Sequence, residues 1–582
     1  MKHTIHKSAL LVFMLLSIGQ YGCNKMLDMK PINEISDDSF WKTPDQFKLA
    51  ANEFYTYLIT FGNVLYDPPP GGNPSPHADM RGDFVALRNP FSNGTNALSA
   101  TDGNWNTAYT RIRAINYLLD KAAAFQTPAD IAVYVAEAKF FRAYVYFDLL
   151  QQFGGVPIVD KLLDVSSPEL QAARNSRDET VDFIVRDLEQ AISALPIQSA
   201  IGTADKGRIS KGAAQAFLGR VTLYEGTWQK FRANSARANL LLDKSIASSD
   251  SVIRSNQYAL FAPAVLGDSA LKYLFILEDE KSNPAAITKS ANKEYILANR
   301  YSFTQRQIRN NVTHTGAGPV SNKFVNMFLA EDGLPIEKSP LFQGYATTRS
   351  EYLNRDHRMQ YTLVIDSNYY WDNESPSSRV TWLGDAADIA NSRGRQNSAS
   401  GTGYGLQKWQ TERKLQDNEE GYDWPVIRLA EVYLNYAEAV FERNGNISDA
   451  DLDKSLNLVR NRVNKTMPKL SNAFVTGNGL DMRTEIRRER NIELVAEGFR
   501  VDDLKRWKIA EVEMPKDITG IKWKGTLWEK RWLVAGNSPY PLDANGNIIY
   551  ESGRKWADKN YLLPIPTQQI QLNPSLQQNP GW

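Results

Sequence analysis

Glu489, Glu493 and Glu497 recur at intervals of four residues. On a helix that spacing lines carboxylates along one face. Two kinds of chemistry use acids placed this way. A pair of carboxyl groups can hydrolyse a glycosidic bond, one giving a proton while the other acts as base or nucleophile. The same acids can instead form an ion-pair network that fixes how helices dock, and Arg490, Arg500 and Arg506 lie nearby in sequence to serve as partners. The arginines favour the second reading, because a buried carboxylate is tolerated when it is paired. No other catalytic signature stands beside them. HExxH, GxSxG, GxxxxGK[ST] and GxGxxG are all missing. Beyond the amino-terminal segment the histidines are His77, His314 and His357, far apart, and they read as ordinary surface or turn residues. Cys23 is the sole cysteine, which excludes disulfide frameworks, thiol nucleophiles in the body of the chain and thiolate metal sites. We therefore expect a non-enzyme with no catalytic residue, no cofactor and no metal site.

Composition narrows the partners. Lys plus Arg (67) almost cancels Asp plus Glu (66), and basic runs are absent, so the electrostatic footprint of a nucleic-acid binder is missing. The 13 Trp, 26 Tyr and 24 Phe require either a large aromatic core or a surface on which ligands stack.

The elements that would position such residues are mostly helices. Thr43, Pro44 and Gln46 form a start signal for a helix running to about residue 59. Residues 67–76 hold too much Pro and Gly for a helix or inner strand. From 104 to 250 the apolar spacing is helical. Trp105, Ala108, Ile112, Ile115 and Leu119 share one face; Val133, Ala136, Phe140, Tyr144, Phe147 and Leu150 share the next, opened by Thr127-Pro128 and stopped by Gly154-Gly155. Ser176 with Glu179, and then Ser210, cap two more helices. Residues 251–425 lack long amphipathic runs and read as loops, short strands and short helices. Helical pattern returns at 427, again after Ser448 to about 463, and over 482–497. The fold expected is mostly α: tetratricopeptide-like helical hairpins with a large loop-rich insertion, an α–α superhelix. The division is 43–250 for the first helical part, 251–425 for a ligand-side insertion and 426–582 for the second helical part of the same body.

Ahead of this body, Lys2 and Lys7 precede a ten-residue apolar run from Ala9 to Ile18, with Gly22 just before Cys23. The run is too short to span a bilayer but suits a secretory signal. We expect cleavage of 1–22, acylation at Cys23 and an exit segment over 23–42. Several acyl chains, at about 0.8 kcal/mol per buried methylene, hold a protein on a membrane without crossing it.

The stretch from Ile486 to Trp507, IRRERNIELVAEGFRVDDLKRW, resembles the ERxxELxxEGxRxxDLxRW block of the SusD/RagB family of outer-membrane nutrient-binding lipoproteins. Further blocks that resemble the family follow its order: 25–31, 142–157, 207–211, 354–358, 427–438, 561–566 and 578–582. The resemblance implies a non-enzymatic binder built on tetratricopeptide-like helices. It implies capture of a glycan at the cell surface and delivery to a SusC-like, TonB-dependent outer-membrane barrel. A surface glycoside hydrolase, a scaffold for proteins and a peptide-binding member of the same family are the alternatives. The resemblance also implies a ligand face made by variable loops. Two stretches have the chemistry. Asp79, Arg81 and Asp83 lie beside the Pro/Gly loop, and Tyr369, Tyr370, Trp371, Trp382 and Trp409 lie within 352–424. Aromatic rings match the flat C–H faces of sugars, and Asp, Arg and Asn match their hydroxyl rims.

Overall fold

The computed structural model describes residues 40–61, 79, 81–85, 90–306, 319–366, 368, 401–411, 420–531 and 541–582. Cys23, His77, His314, Tyr369, Tyr370, Trp371 and Trp382 lie outside the described residues.

Helix α1 (Pro44–Phe54) begins as its capping residues dictate. Gln46 turns its side-chain carbonyl back to accept the Thr43 N–H at 3.1 Å. It ends sooner than periodicity suggests, passing into a 3₁₀ turn over Tyr55–Tyr57. Helix α2 (Gly103–Ala123) is capped by Asp102, whose carboxylate accepts the N–H groups of Asn104 and Trp105 at 2.8 and 3.0 Å. Thr127-Pro128 opens a 3₁₀ turn, Pro128–Ile131, rather than the helix itself, and α3 (Ala132–Phe153) follows. Gly154, at φ 79°, ends it. Gly155 then lies so close to the Asn175 carbonyl that a Cβ would stand 2.2 Å from its oxygen, a space that only glycine fits.

Helix α4 (Arg177–Ala194) carries the expected reciprocal cap. Ser176 Oγ accepts the Glu179 N–H at 3.2 Å, and Glu179 accepts the Ser176 N–H at 2.7 Å. Ser210 caps α5 (Lys211–Lys230) by accepting the Ala213 N–H at 3.1 Å, and α6 (Ser235–Arg254) follows. Each helix from α2 to α6 packs on the next, so the chain lays down antiparallel hairpins side by side.

The stretch 251–425 holds only short helices, such as Ala270–Leu274, Asn322–Val325 and Arg358–Thr362, together with strand β1 (Tyr295–Asn299). Strand β2 (Trp424–Arg428), buried at every position, pairs antiparallel with β1, Asn299 opposite Trp424 and Tyr295 opposite Arg428. It runs straight into α7 (Leu429–Asn444), which packs on α6, so the second helical block resumes on the face where the first stopped. The helix expected from Ser448 to about 463 is two, α8 (Asp449–Lys454) and α9 (Leu456–Arg460), parted at Ser455 with φ −136° and ψ −94°. Helix α10 (Met482–Leu494) packs on α7 and α9, and α11 (Arg500–Arg506) packs on α5. A small sheet closes the body: β3 (Ile518–Lys522) antiparallel to β4 (Asn547–Glu551). One apolar core, from Phe47 through Phe140, Phe217 and Trp424 to Trp523 and Ile565, joins residues of both helical blocks and the insertion. Among the described residues no helix is long and apolar enough to cross a membrane.

Candidate functional site

Glu489 and Glu493 lie on α10, but Glu497 does not. The helix stops at Leu494 because Val495 is extended (φ −55°, ψ 141°), Ala496 takes φ 59° and Gly498 takes φ 91°. All three carboxylates are buried. Their partners are not the arginines adjacent in sequence. Arg428, at the end of β2, gives Nε and Nη2 to Glu497, both at 2.7 Å, and Nη1 to Glu493 and Glu294 at 2.7 and 2.9 Å. Arg462 binds Glu294 at 2.8 Å and also Glu493. Arg358 binds Asp356 at 2.7 Å and Glu489 at 2.8 Å; Arg460 binds Glu489 at 2.7 Å; Lys408 binds Glu497 at 2.6 Å. Glu294, Asp356, Glu489, Glu493 and Glu497 therefore face Arg358, Lys408, Arg428, Arg460 and Arg462, five charges of each sign. The nearby arginines are taken elsewhere: Arg490 by Asp503 (2.7 Å), Arg500 by Asp83 (2.7 Å) and Arg506 by Glu438 (2.6 Å).

Burial alone would raise the Glu493 carboxyl, but Arg462, Arg428 and Arg358 outweigh it and hold the group well below the usual carboxylate range. Glu497 is lowered in the same way, burial being overcome by Arg428 and Lys408. A general acid must carry a proton near neutral pH. Glu493 and Glu497 are held ionised, and all three glutamates are shut away on buried cations, so they are struts between β2, α9, α10 and the insertion. Sequence reasoning missed Arg358, Arg428, Arg460 and Arg462 as the partners. One signal was present: Arg428 ends an otherwise apolar strand, WPVIR, and a charge in such a strand needs a buried partner.

Asp79, Arg81 and Asp83 are corrected from ligand contacts to scaffold. Asp79 is 1% exposed. Its carboxylate accepts the N–H of Ala496 at 2.5 Å and that of Arg500 at 3.1 Å, fastening the turn between α10 and α11. Asp83 accepts Nε and Nη2 of Arg500 at 2.7 and 2.9 Å and is also bound by Lys323. Arg81 is buried with its guanidinium 5.0 Å from the Phe91 ring centroid. The physical reason is that a non-helical turn frees backbone N–H groups, which need acceptors once buried. Burial pushes the Asp79 carboxyl up to about 6, more than the Arg500 and Ala496 N–H groups pull it down. An acid raised on folding holds its proton in the native state while the unfolded chain has already released it. Its contribution to stability therefore falls as pH rises from its unfolded value toward about 6. Relative to the native protein, the Asp79→Asn variant should gain about 2 kcal/mol between pH 4 and pH 7, at 1.36 kcal/mol per unit. Urea unfolding of both proteins at the two pH values measures this, and a pH-independent difference would refute it.

Trp409 is also corrected. It is 1% exposed and stacks on Trp424 at 4.9 Å, with Phe61 and Phe275 edge-on at 5.4 and 4.9 Å. Its indole N–H donates to the Ala496 carbonyl at 3.2 Å. Its sequence neighbours suggested a stacking surface, but the aromatic load here is core. His357, read from the sequence as an ordinary residue, lies half-buried between Asp268 (2.6 Å) and Glu331 (3.4 Å).

The polypeptide around the candidate loops is tied together by backbone pairing. The Ser321 N–H donates to Phe84 O (2.7 Å), Val320 N–H to Tyr404 O (3.0 Å), Val364 N–H to Gly405 O (2.9 Å) and Ile521 N–H to Thr402 O (2.8 Å). Isolated bridges join Val85 to Val320, Pro319 to Gly405 and Leu363 to Leu406. Residues 84–85, 319–321, 363–364, 402–406 and 521 thus form one connected patch. The sequence segment carrying Tyr369, Tyr370, Trp371 and Trp382 is flanked on both sides by this patch.

Residues 285–582, just over half of the chain, match the family model described as SusD family. Residues 83–223 match one described as starch-binding associating with outer membrane. A SusD-like protein of Formosa agariphila is 23% identical over 98% of this chain and 99% of its own length. Another from that organism is 27% identical over 50% of this chain, spanning 53% of the relative. Among solved structures, a SusD-like carbohydrate-binding protein of Bacteroides fragilis superposes with a TM-score of 0.73 at 23% identity, covering 93% of this chain and all of that one. A SusD homolog of Bacteroides thetaiotaomicron gives 0.62 at 19% identity over 94% and 99%. The hairpin stack, the arginine-paired ERxxELxxEG turn and these matches lead to one conclusion: the chain belongs to the SusD family.

Proposed function

We propose that this chain is a glycan-binding protein of the outer membrane, held there by acyl chains on Cys23. It captures oligo- or polysaccharide and delivers it to a SusC-like, TonB-dependent barrel, with no bond-breaking of its own. The observation that carries this reading is the fate of the carboxylates. The acids with catalytic spacing are spent on arginines and Lys408, and the recurring blocks at 354–358, 427–438 and 486–507 serve the scaffold, which leaves recognition to the loops. Support comes from the neighbours. The Bacteroides fragilis structure is described as carbohydrate-binding, and a Bacteroides fluxus neighbour, with a TM-score of 0.56, as a surface glycan-binding protein.

With Asp79, Arg81, Asp83 and Trp409 assigned to the scaffold, Tyr369, Tyr370, Trp371 and Trp382 are the proposed ligand contacts. Asp372 and Asn373 adjoin them and have the chemistry to bind a hydroxyl rim. Trp371→Ala and Trp382→Ala should each weaken glycan binding about tenfold while the urea midpoint stays put, since a stacked ring contributes on the order of 1 kcal/mol beyond its buried area. Calorimetric titration of the mature chain with its best glycan tests this. Unchanged affinity in both variants would remove this stretch from the site. Co-purification of a tagged, detergent-extracted protein tests the barrel partnership, and repeated failure to recover a large barrel counts against it.

A further inference from the structure

We propose that the hollow between α2, α3 and α4 is a second binding surface, one that takes an amphipathic helix from another protein with carboxylates at one end of its apolar stripe. The hollow has a volume of about 640 Å³ and opens to solvent. Ile131 lines it from the 3₁₀ turn, Ala132, Val135 and Ala136 from the start of α3, and Leu119 and Ala122 from the end of α2. Small and branched apolar side chains let a partner backbone approach closely, and a groove between helices is the usual seat for an amphipathic helix.

The polar lining gives the occupant its sign. Arg142 and Asp187 neutralise each other through bonds of 2.7 and 2.9 Å. Lys139 lies half-buried in the hollow and Arg186 stands at its edge, its guanidinium 5.0 Å from the Phe183 ring centroid. Among the described residues neither makes an ion pair or hydrogen bond. Asp160 also lines the hollow, so three cations (Lys139, Arg142 and Arg186) face two carboxylates (Asp160 and Asp187). Burial lowers Lys139 more than the nearby Asp187 raises it, as expected of an ammonium group without a direct partner. A carboxylate brought between Lys139 and Arg186 would relieve that position, and charge complementarity of this kind selects partners. The surface is independent of the glycan reading, since α2–α4 hold none of the proposed ligand contacts.

The test uses the mature chain and two fluorescent synthetic helices of about 15 residues, long enough to populate a helix. Both carry Leu and Ala at i, i+3, i+4 and i+7; one has two Glu at its end and the other two Lys. The acidic probe should bind at least about tenfold more tightly than the basic one. The Lys139→Glu/Arg186→Glu double variant should invert that preference, and Ala132→Trp, which fills the hollow, should abolish binding of both. Glycan affinity of all variants should stay unchanged. Equal binding of the two probes, no binding of either, or a preference indifferent to the double substitution would overturn the proposal.

Discussion

Replacing Arg428 by methionine will lower the free energy of unfolding by about 3–5 kcal/mol. Arg428 is 1% exposed and donates to Glu294, Glu493 and Glu497 and to the Glu493 carbonyl. Methionine fills part of the volume but leaves three buried carboxylates with fewer donors. Arg462 still reaches Glu294 and Glu493, Arg358 still lies 3.5 Å from Glu493, and Lys408 still reaches Glu497, so the network keeps four cations for five buried carboxylates. The loss should be felt at the junction of β2, α10 and the insertion. Urea unfolding measures it, and near-ultraviolet circular dichroism should show looser packing around Trp409 and Trp424. A change below about 1 kcal/mol would show that the charge network contributes no more than exposed pairs do.

Trp409→Ala will cost a similar amount, about 3–5 kcal/mol, because it empties the centre of an aromatic cluster. The indole lies parallel to Trp424 with an interplanar angle of 15°, and removing it also orphans a hydrogen bond to Ala496 O. That carbonyl belongs to the same turn whose N–H groups Asp79 holds. The substitution therefore loosens the α10–α11 turn from one side. At temperatures where the variant stays folded, its glycan affinity should match that of the native protein. Reduced affinity with unchanged stability would return Trp409 to the ligand site and contradict the burial argument.

Much of the helical framework was legible because its signals are local. Apolar spacing located α2 to α5 and α7, though not α6 as a helix of its own, and the Ser176–Glu179 and Ser210 caps mark helix starts to the residue. Other boundaries depend on what the chain packs against. Ser455 breaks a helix in mid-sequence, and the segment 486–507, though continuous in its pattern, turns sharply at Ala496 to Gly498. The site was harder to read because the same side chains suit two tasks. Asp79 and Asp83 beside a Pro/Gly loop have the composition of a hydroxyl-binding rim. Only tertiary contact reveals that one caps a turn and the other pairs with Arg500 from more than 400 residues away. The glutamates were read correctly as ion-paired, but from the wrong arginines. Sequence neighbours on one helix project to different faces, whereas Arg358, Arg428, Arg460 and Arg462 converge from separate elements.

The most direct test titrates the chain begun just after Cys23 with a panel of oligosaccharides and then analyses the sugars recovered from the cell. The account predicts saturable binding heat for at least one glycan, with that glycan returned at its original length. Shortened products, or a protein that binds peptides and no sugar, would contradict it.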